Sequence, residues 1–200
     1  MQQTKEGSLL DTSLFRMTWP IFVELILQML VGNMDQIMLS HYNQTAVAAV
    51  GNANQIMTIL ILTFNVTSLA STILISQYLG ARDPKNVSRI YTLSVLVNGI
   101  VSLVLAAGLF LFAGPILSLM QAPVEVRPEA MSYLRITALS LPFQALMLTF
   151  SAFLRAHAQM LVIMLSTGLI NLINIVGNTA FIYGIGPLPQ MGAAGAAVST

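Results

Sequence analysis

Two carboxylates stand where lipid would normally forbid them. Glu24 and Asp35 lie within WPIFVELILQMLVGNMDQIMLS, residues 19–40, which is long and apolar enough to cross a bilayer. On a helix, Asp35 falls about 20° round from Glu24, and Gln28 about 40°. The three make one polar stripe, with the acids separated by about 16 Å along the axis. Ten Ile, Leu, Phe and Val residues in the stretch each favour insertion by roughly 0.3–0.6 kcal/mol. Two central acids oppose it by about 2.5–3.5 kcal/mol each. The sum is near zero, so the stripe is expected to face protein or a wet cavity, or to be protonated. A functional role is the default reading of such residues; burial to fix helix packing is the alternative. The acids are too far apart to share one substrate bond.

Other chemistry is thinly represented. There is no cysteine, which excludes disulfides, thiolate metal sites and cysteine catalysis. Neither His-Glu-x-x-His nor Gly-x-Ser-x-Gly occurs, and the two histidines are not placed to share a metal. No cofactor is expected. The net charge of +1 comes with no basic patch interleaved with aromatics, so no nucleic-acid partner is expected.

The elements that must position the acids are apolar spans. Of 200 residues, 56% are hydrophobic and 8% charged, against roughly 25% charged in a soluble domain. The sequence predicts a polytopic membrane protein with short loops. Residues 1–13 read as a polar lead-in without signal-peptide features, and 14–200 as the membrane part. Spans are expected over about 14–40, 46–79, 90–112, 131–154 and 160–183, with a sixth, 192–200, cut short. Gly114-Pro115 is read as closing the third. Lys5, Arg16, Arg82, Lys85, Arg89 and Arg155 fall on one side if the loops alternate, and Arg127 and Arg135 on the other. That asymmetry places the N-terminus in the cytoplasm.

Further polar lines run inside the spans. Asn54, Thr58, Asn65, Ser68, Thr72 and Ser76 lie within about 40° of one line on the second. Thr167, Asn171, Asn174 and Asn178 make a wider arc on the fifth. Three helices thus present polar faces, and a bundle around a polar interior is the simplest arrangement. Hydroxyls and amides also join helices to one another, at roughly 0.6 kcal/mol per bond. Pro20 and Pro142 mark bends, Pro20 being also compatible with an ordinary first-turn proline. The run Gly192–Ala197 reads as a small-residue packing face.

In order and spacing, Pro20 with GNMDQIMLS, QYLGARD at 77–83, the turn after FLRAHAQ, and NLINIVGN running into GAAGAA resemble the N-terminal lobe of the multidrug and toxic compound extrusion (MATE) family. The resemblance covers about 12–200. It implies an all-α fold: a transmembrane bundle of about six helices, one lobe of a twelve-helix, two-lobe transporter. It implies export of cationic or amphipathic compounds across the cell membrane in exchange for Na⁺ or H⁺. Asp35 then corresponds to a cation-coupling aspartate, Asn174 and Asn178 to cavity positions near it, and Pro20 to a bending proline. Some members carry an aspartate where this chain has Asn178, and Glu24 matches no family motif. Glu24, Gln28, Asn54, Thr58, Asn65 and Asn171 are expected to line the cavity. The expected partners are membrane lipid, small organic cations and the second lobe, the chain being read as a fragment or half of a larger molecule. The rival readings are a lipid-linked oligosaccharide flippase, which needs a more basic cavity, a membrane-embedded acid/base enzyme, and a non-transporting half-molecule.

Overall fold

In the computed structural model the backbone is described for residues 2–42, 44–184 and 191–199; the side chains of 2–14, 16, 17, 31, 35, 42, 44–46 and 183 fall outside the described set. Six helices follow in order: α1 (Gln2–Tyr42), α2 (Gln44–Gly80), α3 (Pro84–Leu119), α4 (Arg127–Ala156), α5 (Met160–Tyr183) and α6 (Ala193–Ser199). Of the expected lead-in 1–13, residues 2–13 fall on the first turns of α1, and its side chains lie outside the described residues. Among the described residues, five helices contain stretches long and apolar enough to span a membrane. They carry outward-facing residues such as Phe22, Met29, Leu103, Leu111 and Val176, as expected where lipid replaces water as solvent.

Local chemistry sets two of the helix ends that frame the bundle. Asp83 accepts from the backbone N–H of Asn86 at 3.2 Å and its side-chain amide at 2.7 Å, and Pro84 fills the first turn of α3. α5 ends at Gly184, whose left-handed φ of 70° costs glycine nothing. α3 continues through Gly114-Pro115 to Leu119, where the sequence suggests an end near 112. The proline withholds one N–H from the helical ladder, and the N–H groups of Met120, Gln121 and Ala122 close the C-terminal turn on the carbonyls of Ile116, Ser118 and Leu117.

α2, α3 and α4 pack closely, and α1 packs mainly on α5. The short α6 wedges between α4 and α5 on Ala193, Gly195, Ala196 and Ala197. This is the packing role expected of the small-residue run: a Cβ on Gly195 would stand 2.5 Å from the Phe181 carbonyl oxygen. The α2–α3 and α4–α5 connections meet at one end of the bundle. There Tyr91 lies against Phe153 at 4.5 Å between ring centroids, and its hydroxyl is 3.2 Å from His157 Nε2. Arg82, Lys85, Arg89 and Arg155 therefore gather at that end.

Candidate functional site

A cleft of about 280 Å³ opens between α2 and α4. Asn65, Ser68, Leu69 and Thr72 line it from α2; Leu148, Ser151, Ala152 and Arg155 line it from α4. The polar line of α2 supplies its wall at Asn65, Ser68 and Thr72. Thr72 Oγ1 lies 3.0 Å from the Ser68 carbonyl oxygen and 3.3 Å from that of Ala152, which ties the wall to α4.

Behind this wall α3 contributes a buried amide. Asn98 donates to Thr149 Oγ1 at 2.7 Å and to Ser68 Oγ at 3.4 Å, while Ser71 and Ser94 share a bond of 2.7 Å. Asn98 is fully buried, and its Oδ1 has no partner among the described residues. The line Ser94, Asn98, Ser102, one residue per turn, is legible in the sequence and belongs to the polar interior as much as the α2 line does.

Glu24 departs from its expected place on the cavity wall. Its carboxylate is buried, and Oε1 accepts from Arg155 Nη2 at 2.7 Å and from Gln28 Nε2 at 3.0 Å. The side facing the cleft is Arg155, whose side chain is 43% exposed. A buried carboxylate without a cation is strongly disfavoured, and the last turn of α4 supplies one. Gln28 is exposed and reaches back one turn to the same oxygen.

The other expected positions separate. Asn54 accepts from the Tyr133 hydroxyl at 3.2 Å, an α2–α4 contact away from the cleft. Thr58 is exposed and donates to the Asn54 carbonyl of its own helix. On α5, Asn171 donates to the Leu27 carbonyl of α1 at 2.8 Å. Asn178 donates to Asn174 Oδ1 at 3.1 Å and accepts from the Ser199 hydroxyl of α6, and Asn174 donates to the Ser199 carbonyl at 3.3 Å. All three asparagines are buried. The Asp35 side chain lies outside the described residues. Pro20 is buried within α1, one turn before Glu24.

Comparison with known proteins agrees with this fold. The family model described as MatE matches residues 20–180. The chain is 39% identical over 188 residues to an uncharacterized transporter, YisQ, of Bacillus subtilis, covering 94% of this chain and 41% of that protein. It is 31% identical over 187 residues to a probable multidrug resistance protein, NorM, of Thermotoga maritima, covering 94% and 40%. It thus spans about two fifths of the length of the curated relatives it matches. Among solved structures, MATE in the bent conformation superposes with a TM-score of 0.84 at 23% identity, over 92% of this chain and 40% of that one. An outward-facing multidrug resistance MATE transporter of the MOP superfamily gives 0.83 at 21%, with 92% and 40% covered. These two likenesses concern the fold.

Proposed function

The chain belongs to the MatE family, and from that premise we propose that it forms the N-terminal lobe of a cation-coupled antiporter. The antiporter exports cationic or amphipathic compounds across the cell membrane in exchange for Na⁺ or H⁺, with its N-terminus in the cytoplasm. Asp35 binds the coupling ion, and Asn174 and Asn178 supply neutral oxygen donors near it.

The observation that carries this reading is the register between α1 and α5. Asn171 bonds to the Leu27 carbonyl, and a Cβ on Gly168 would stand 3.7 Å from Leu27 Cδ1. Successive spans alternate in direction, so α1 and α5 run parallel. Asp35 is eight residues beyond Leu27, about 12 Å along α1. Asn174 and Asn178 stand about 4.5 and 10 Å beyond Asn171 along α5. The α1 turn bearing Asp35 is therefore level with the α5 turn bearing the two buried amides. An amide carbonyl is a hard neutral oxygen, suited to Na⁺ or to a shared proton beside a carboxylate. The remaining length of the relatives fits a second lobe, against which this one rocks in alternating access. A flippase cavity needs net positive charge, and among the described residues the cation that lines the cleft, Arg155, is paired with Glu24.

The test is efflux by the full-length protein in proteoliposomes, with Na⁺ and pH gradients imposed separately. Asp35→Asn abolishes gradient-driven efflux while the protein stays folded and inserted. Undiminished efflux by that variant removes the coupling role from Asp35.

A further inference from the structure

The pair Glu24–Arg155 joins two helices whose backbones do not approach each other among the described residues. Among the described residues α1 packs on α5 and also meets α2 and α6, while the backbones of α1 and α4 stay apart and the Glu24 and Arg155 side chains reach across between them. Residues 24 and 155 are 131 apart in sequence, so nothing local holds them together. The guanidinium lies at the edge of the cleft, partly exposed, and the carboxylate is buried behind it. Gln28 donates to the same carboxylate oxygen and steadies it from within α1. One turn before Glu24 stands Pro20, which withholds an N–H from the α1 ladder and makes that turn the easiest to bend. The pair sits at the bundle end where the 80–89 loop and the 157–159 turn meet.

We infer that Glu24 and Arg155 form a charge clasp that fastens α1 to α4 at the cytoplasmic end of the cleft, and that the clasp opens when α1 moves during transport. Closed, it holds α1, and with it the segment carrying Asp35, against the bundle. Open, it frees the Arg155 end of the cleft and lets α1 bend at Pro20. A pair whose guanidinium is partly exposed suits a reversible contact: its rupture leaves Arg155 at the open edge of the cleft, and the carboxylate is uncovered as α1 moves out. The transport half of this inference rests on the antiporter reading above; the clasp itself does not.

Two measurements test it on the full-length protein, with any cysteine outside this cysteine-free segment replaced. In the first, Ser151→Cys on the cleft wall is labelled with a small maleimide. Glu24→Gln should raise the labelling rate roughly tenfold, and the exchanged pair Glu24→Arg with Arg155→Glu should return it to about the starting rate, as expected if opposite charge holds the closed state. Unchanged labelling in Glu24→Gln, or no recovery in the exchanged pair when that variant is folded, overturns the clasp. In the second, Glu24→Cys and Arg155→Cys are joined by a short reducible bis-methanethiosulfonate linker. Efflux should fall roughly tenfold or more on linking, as a locked two-state element demands, and return on reduction. Full efflux by linked protein overturns the opening step. Should the unmodified protein move no substrate in any gradient, the antiporter reading fails, and the labelling measurement decides the clasp by itself.

Discussion

At the scale of single residues, the buried polar groups of this lobe are unequal. Asn98 brings two donors and one acceptor into the α2–α3–α4 contact, and its acceptor finds no partner among the described residues. An interhelical hydrogen bond in a membrane protein contributes about 0.6 kcal/mol, and an orphaned buried polar group costs about 1–3 kcal/mol. Removing Asn98 entirely discards both terms, whereas removing its partner leaves the orphan and adds another. Asn98→Leu is therefore expected to change stability by less than about 1 kcal/mol, and Thr149→Val to destabilise by about 1–2 kcal/mol. Thermal unfolding of the purified protein in detergent checks both. The reverse order shows that an unseen partner, such as a water, satisfies Asn98 Oδ1. The three asparagines of α5 differ in kind, because each already spends its amide on α1, on α6 or on its neighbour. They fix where α1, α5 and α6 meet, and two of their carbonyl oxygens accept there, Asn174 Oδ1 from the Asn178 amide and Asn178 Oδ1 from the Ser199 hydroxyl.

At the scale of elements, α6 is held by closeness rather than by area. It has seven residues, and its glycine lets its backbone lie against the end of α5. At Gly195 an added methyl meets backbone, which cannot step aside; at Gly168 it meets a leucine methyl at ordinary van der Waals distance. Gly195→Ala is expected to destabilise by about 1–3 kcal/mol and to loosen α6 from α5. Gly168→Ala is expected to stay within about 1 kcal/mol of the parent, and to gain slightly in helix propensity. Unfolding midpoints of the two variants, measured side by side, give the comparison. A tolerated Gly195→Ala shows that the α5–α6 junction can shift to admit a methyl. α1 is the opposite case, a helix of 41 residues with mostly exposed apolar side chains in its spanning part, attached among the described residues mainly to α5, with smaller contacts to α2 and α6 and the ion pair to α4. That is the construction expected of an element that moves.

At the scale of the molecule, charge asymmetry and folding meet at one end of the bundle. The α2–α3 loop and the α4–α5 turn are joined there by Tyr91 and His157, so the basic residues 82, 85, 89 and 155 share one membrane side. Their excess over Arg127 and Arg135 predicts that this side is cytoplasmic. In whole cells, a membrane-impermeant maleimide should label a cysteine introduced at Gln121 but reach one at Lys85 only after lysis. Labelling in the opposite order inverts the topology, and with it the side on which the clasp lies.

Sequence alone determined that the chain carries several apolar helices of membrane-spanning length, where some of them begin and end, and to which family it belongs. These properties are local or additive: hydropathy accumulates over about 20 residues, and Asp83, Pro84 and Gly184 act within a turn or two of themselves. The polar lines on α2, α3 and α5 were likewise visible as spacing. What spacing could not decide was which faces meet. Glu24 reads as a wall residue until α4 brings Arg155 across to it; Asn54 reads as a cavity residue until Tyr133 takes its oxygen; Arg155 reads as a turn residue until its guanidinium is seen at the cleft. Each assignment depends on side chains 79–131 positions away. Only the packing of whole helices, a sum over many weak contacts with no signature in any one segment, sets those pairs.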